Sequence, residues 1–101
     1  TIKSNGSNGI ELVSGNNNIV IQGAIEDNTS DGIKLTATSD NCFVSTTTLA
    51  RNGGYGLNIA ASTCDTNILV GNNFNSNTSG AVSNSGTGTV ARGNVGSADV
   101  G

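Results

Sequence analysis

Seven carboxylates, Glu11, Glu26, Asp27, Asp31, Asp40, Asp65 and Asp99, are the residues of this 101-residue chain best suited to chemistry. Cleaving a glycosidic bond takes two of them held across it, one as acid and one as nucleophile or base. Asp40 and Asp65 fall near the same turn of neighbouring repeats and are the pair to consider. Both stand in turn sequence, where the ordinary use of an Asp side chain is to accept a hydrogen bond from a nearby backbone amide. There is no His, so the many Ser residues have no imidazole to activate them.

Other motifs fail on their surroundings. Gly86-Thr87-Gly88-Thr89-Val90-Ala91 satisfies the dinucleotide pattern in letters, but no helix follows to carry a phosphate and no acid stands some 20 residues on. Gly53-Gly54-Tyr55-Gly56-Leu57-Asn58 departs from the calcium-binding Gly-Gly-x-Gly-x-Asp repeat by ending in Asn. Three or more acids on adjacent repeats are missing, so no metal, no cofactor and no catalytic residue are expected.

The net charge of −3 comes with only four basic residues, Lys3, Lys34, Arg51 and Arg92. They form no stripe for phosphates, which argues against nucleic acid. No apolar run is long enough to span a bilayer, and no signal peptide is visible. The chain lacks an initiator Met and reads as a fragment or processed product. Its 34% apolar content, with 3% aromatics, cannot fill a bulky globular core. Disorder usually brings Pro or high net charge, and this chain has neither.

What must position these residues is a repeat. Gly9-Ile10-Glu11-Leu12, Gly32-Ile33-Lys34-Leu35, Gly56-Leu57-Asn58-Ile59 and a weaker Gly80-Ala81-Val82-Ser83 recur at intervals of 23, 24 and 24 residues, a period belonging to a solenoid. Each period holds three short apolar stretches. The first alternates like a strand, with Ile10/Leu12, Ile33/Leu35 and Leu57/Ile59 on one face. The second covers Ile19 to Ile21, Cys42 to Val44 and Ile68 to Val70. The third is one apolar residue three positions before an Asn: Ile25 and Asn28, Leu49 and Asn52, Phe74 and Asn77.

Three strands per turn describe the coils of a parallel β-helix, here an all-β single domain over 1–101 with coils at about 8–30, 31–54, 55–79 and 80–96. Stacking the coils puts Glu11 beside Lys34 and Asp27 beside Arg51, pairs of opposite sign that support the register. Asn28, Asn52 and Asn77 then form a ladder at one corner, where an Asn bonds its own turn and the next coil and tolerates a left-handed backbone. Cys42 and Cys64, on neighbouring coils but offset, are expected to be free buried thiols in preference to a disulfide.

At these residues the chain resembles the right-handed parallel β-helix repeat proteins of the pectate-lyase-like group. Asn8-Gly9-Ile10 through Asn28 and Asp31-Gly32-Ile33 through Asn52 carry the likeness, which spans about residues 5–96. The closing run Gly86 to Gly96, with its Arg92-Gly93-Asn94, is similar to the last coil in phage tail and surface adhesin β-helices. The resemblance implies a fold that hosts lyases, hydrolases, tailspikes and adhesins alike. The Asp-Asp, Gly-His-Gly and Arg-Ile-Lys signatures of its polygalacturonases have no counterpart here. Its lyases use a basic residue to take the proton, and Arg51 is already assigned to Asp27.

With Ile19 and Ile21 read as inward, Val20, Phe43, Leu69 and Val90 stack on the outside as an apolar stripe, a candidate interface. A slip of one residue would turn that stripe inward. Phage tail proteins of this fold are typically trimers, so the expected partner is a homo-oligomer, trimer favoured, with surface polysaccharide as a second partner. The expected function is a non-catalytic structural segment of an extracellular or virion-surface protein, presenting a carbohydrate-contacting surface. Two alternatives stand beside it: a fragment of a polysaccharide lyase or hydrolase with its active site on other coils, and a filament or surface-layer component.

Overall fold

The computed structural model describes residues 1–101, the side chain of Ile21 excepted. The described residues form twelve short strands and no helix: β1 (Ile2–Lys3), β2 (Ile10–Val13), β3 (Ile19–Ile21), β4 (Ala24–Glu26), β5 (Ile33–Thr36), β6 (Phe43–Ser45), β7 (Thr48–Ala50), β8 (Tyr55–Ile59), β9 (Ile68–Val70), β10 (Asn73–Asn75), β11 (Gly80–Asn84) and β12 (Val90–Arg92). Every third strand joins the same parallel sheet. The first sheet holds β2, β5, β8 and β11, the second β3, β6, β9 and β12, and the third β1, β4, β7 and β10. Each coil therefore visits three sheets in turn, and the chain is a β-solenoid of about four coils.

Most strands are this short because the backbone turns left-handed just past them, whereas β8 and β11, the two longest, have no such residue at their ends. Ser4, Asp27, Arg51 and Ser76 have φ of 59°, 56°, 53° and 56° at the end of the third sheet. Gln22, Thr46, Gly71 and Gly93 do the same beyond the second sheet, and Asn17, Asn41, Thr66 and Gly88 just before it. L-residues enter this region at a cost of roughly 1–2 kcal/mol, so the stacked corners are held by what surrounds them. The left-handed residue is the one preceding Asn28, Asn52 and Asn77, not the Asn itself as the sequence suggested. The Asn is needed for its side chain.

Inward side chains stack in columns. Ile10, Ile33 and Leu57 align with Val82, Leu12 and Leu35 align with Ile59, and Ile2, Ile25, Leu49 and Phe74 align in the third sheet. Ile33, Leu35, Leu49, Leu57, Ile59 and Leu69 are fully buried, each contributing about 1.5–3 kcal/mol. The fourth repeat sits one residue out of the register read from its glycine. Gly80 lies opposite Tyr55 while Val82 lies on Leu57, because this shift places the branched side chain of that stretch over the column below.

The two ends differ. Ile2, Ile10, Leu12 and Val20 of the first coil point inward but are only partly buried. Beyond β12 the chain reverses, and Val100 pairs antiparallel with Ala91.

Candidate interaction surface

Each strand of the second sheet offers three residues, and the middle one faces the core. Val20, Val44, Leu69 and Ala91 form that column through the pairings Val20 with Val44, Val44 with Leu69 and Leu69 with Ala91. Val44 and Leu69 are 2% and 0% exposed, and Val20 packs against the core cluster. Two residues assigned to the outer stripe, Val20 and Leu69, thus belong to the interior. The outer column is Ile19, Phe43, Ile68 and Val90. Ile19 is 67% exposed, Phe43 36% and Ile68 39%, and Val90 is half-buried. An apolar line therefore runs up the outside of all four coils, through Phe43 and Val90 as expected and through Ile19 and Ile68 in place of Val20 and Leu69.

The error of parity has a physical source. Ile19-Val20-Ile21 is apolar at every position, so alternation cannot tell its faces apart. Cys42 was read as the first residue of its strand, whereas it is a corner residue whose N–H donates to Asn67 Oδ1 at 2.8 Å. The third positions carried the missing signal. Ser45 and Arg92 occupy them, and a polar residue there turns the first and third positions outward together. The side chain of Ile21, read as inward, lies outside the described residues.

Hydrogen-bonded ladders brace the corners of the solenoid from within. Asn28 Oδ1 accepts from Asn5 N–H and Nδ2, at 3.1 and 2.9 Å. Asn52 Oδ1 accepts the same pair from Asn28 at 3.1 and 3.0 Å, and Asn77 Oδ1 from Asn52 at 3.0 and 2.9 Å. Each Nδ2 also donates backwards, Asn52 to Ile25 O at 3.1 Å and Asn77 to Leu49 O at 2.8 Å. Asn5 is a fourth rung that the repeat reading omitted. A further ladder, Asn72 to Asn94, turns the corner between the second and third sheets, with Asn94 Oδ1 accepting from Asn72 N–H and Nδ2 at 2.9 and 3.0 Å. An Asn two residues past the outward third position of the strand was the available signal for it. Among the described residues, no buried side-chain nitrogen or oxygen lacks a hydrogen-bond partner.

Glu11, Lys34, Glu26, Asp27 and Arg51 are committed to pairing between coils. Lys34 Nζ lies 3.9 Å from Glu11 Oε1. Arg51 Nε donates to Asp27 Oδ1 at 2.9 Å, and its Nη2 to Asp27 Oδ2 at 3.2 Å and Glu26 Oε2 at 2.8 Å. The Arg51 hydrogen bonds hold the Asp27 carboxyl below its ordinary range, against a smaller opposing effect of desolvation. Asp40 Oδ1 accepts the Asp65 N–H at 2.8 Å, while the Asp40 N–H donates to Asn16 Oδ1 at 3.1 Å. These are turn roles. Cys42 and Cys64 are buried free thiols, and Cys42 Sγ donates to Gly15 O at 3.1 Å. Among the described residues no three of His, Cys, Asp and Glu gather as metal ligands, no pocket opens, and no helix is long and apolar enough to cross a membrane.

A family model described as a right-handed beta helix region matches residues 1–97. No curated protein and no solved structure matches the chain.

Proposed function

The chain belongs to the right-handed β-helix family, and from that premise we propose that it serves as a rigid, non-catalytic segment of an extracellular or virion-surface protein. The observation that carries this reading is the outer line Ile19, Phe43, Ile68 and Val90, continuous over four coils. Exposed apolar residues scattered singly need no explanation, but a contiguous line of them marks a contact surface. A second copy lying parallel to the first would cover it along its whole length. Three copies around a common axis close such an assembly with every stripe directed inward.

In that arrangement the first sheet faces outward, with Glu11, Lys34, Asn58 and Ser83 as its solvent-facing rungs. This polar wall is the surface we assign to polysaccharide. The test is to place a charge on the stripe. Ile68→Lys should convert the oligomer to monomer with its β-sheet circular dichroism intact. An unchanged molar mass for that variant would contradict the reading.

A further inference from the structure

Three Asn-x-Ser sequences, Asn5-Gly6-Ser7, Asn28-Thr29-Ser30 and Asn77-Thr78-Ser79, have the form that accepts an N-linked glycan. All three put the acceptor Asn on one ladder, with Asn52 as the remaining rung. The ladder asks for an Asn followed by turn residues, and Ser is turn chemistry, so the repeat writes the acceptor sequence where the amide is least free. Asn28 is 2% exposed. One hydrogen of its Nδ2 goes to Asn52 Oδ1 at 3.0 Å and the other faces Ile2 O at 3.5 Å. The same nitrogen lies 2.8 Å from where a Cβ on Gly9 would stand.

Glycan transfer acts on that nitrogen. A transferase carries an oligosaccharide from a lipid diphosphate donor to Nδ2: the bond from the anomeric carbon to the phosphate oxygen breaks, a carbon–nitrogen bond forms, the amide gives up one hydrogen as a proton and the lipid diphosphate leaves. On Asn28 the sugar would replace a hydrogen that already has a neighbour. In place of the first it pushes the Asn52 amide away and unpairs the ladder, and in place of the second it runs into the Ile2 carbonyl and β1. Asn77 repeats part of this conflict, since its Nδ2 donates to Leu49 O at 2.8 Å and lies 2.8 Å from the Cβ position of Gly56.

We propose that Asn28 is a modification site at which glycan transfer and folding exclude each other. The unfolded chain accepts a glycan there, the folded chain does not, and a chain that has accepted one cannot close its coils. The acceptor sequence is therefore a lock on where this protein can be made: it must fold before an N-glycosylating transferase reaches it, or in a compartment without one. The outer stripe plays no part in this exclusion.

Semisynthesis of the full chain tests this. Residues 1–41 are made with N-acetylglucosamine on Asn28 Nδ2, on Asn16 Nδ2 or on neither, and each version is joined to residues 42–101 through the Cys42 thiol. Asn16 is the control because it is exposed and meets the next coil through its Oδ1, which accepts the Asp40 N–H. The bare chain and the Asn16 glycoform should refold with the same β-sheet circular dichroism and melting temperature, and the Asn28 glycoform should show no cooperative melting transition. A second arm sends the chain through a eukaryotic secretory pathway behind a cleavable signal, with Ser7→Ala and Ser79→Ala to leave one acceptor. That chain should be retained as a protease-sensitive glycoform. Adding Ser30→Ala, which removes the acceptor sequence and keeps every Asn of the ladder, should release it folded and bare. An Asn28 glycoform that melts like the bare chain, an Asn16 glycoform that also fails to fold, secretion of the folded chain with its Asn28 acceptor intact, or retention of the Ser30→Ala chain would each overturn the proposal.

Discussion

The space that a side chain would need at Gly32 is held by Asn52, whose Nδ2 lies 2.8 Å from where a Cβ on Gly32 would stand. The same relationship joins Gly9 to Asn28 and Gly56 to Asn77, each again at 2.8 Å. The recurring glycine and the Asn ladder are therefore one device: the glycine leaves the room into which the amide of its own coil's corner projects. Gly32→Ala forces that amide or the Gly56 carbonyl aside and should destabilise the chain by about 1–3 kcal/mol. Urea unfolding followed by circular dichroism measures it.

Removing the amide should cost as much or more. Asn52→Ala strands the Asn28 N–H in a buried corner, leaves Asn28 Nδ2 only its 3.5 Å bond to Ile2 O, and takes from Asn77 Oδ1 one of its two donors, at about 1–3 kcal/mol for each group left unpaired. Asn5→Ala, at the exposed end of the same ladder, should cost well under half of that in the same titration.

The parity of the second sheet separates neighbouring residues. Leu69→Ala empties a fully buried site and should cost about 2–5 kcal/mol. Ile68→Ala, next to it and facing out, should change the stability of the isolated coil stack by no more than about 0.5 kcal/mol. Equal losses at the two positions would show the assigned faces to be wrong.

Much of this arrangement was legible beforehand and some was not, for reasons that can be named. Glu11 over Lys34 and Asp27 over Arg51 were readable because each strand carries one unambiguous inward neighbour, Leu12 or Ile25, that pins the register. The second sheet offered no such contrast at Ile19-Val20-Ile21. The fourth repeat slipped because Gly80 imitates the earlier glycines in letter, while the packing of Val82 on Leu57 decides its place. The Asn72 to Asn94 ladder escaped notice since its earlier rungs are Gly23 and Thr47, leaving two Asn residues to mark a column of four.

The Asp27 to Arg51 pair makes stability depend on pH in a stated direction. The Arg51 hydrogen bonds lower the folded-state pKa of Asp27 from its ordinary 3.8, so the unfolded chain takes up the proton more readily than the folded one. The contribution is complete above about pH 4 and fades as the pH falls below 3.8 through the folded value. Asp27→Asn should flatten this part of the acid limb in a melting-temperature profile. Because both side chains face solvent, high salt should shrink the difference between variant and parent.

Thr46 holds a left-handed backbone, φ 53°, where the next two coils place Gly71 and Gly93. A β-branched residue is strained there, and Thr46→Gly should stabilise the chain by roughly 0.5–1 kcal/mol once the greater freedom of glycine in the unfolded chain is set against the relief. Thermal melting checks the sign. Gly71→Ala should move it the other way.

The most direct measurement on the central claim is the molar mass of the intact chain in solution, by light scattering on a size-exclusion column at several concentrations. If Ile19, Phe43, Ile68 and Val90 form the contact surface of a structural assembly, the mass should be that of a trimer and should not change with concentration. A monomer at every concentration would contradict the account.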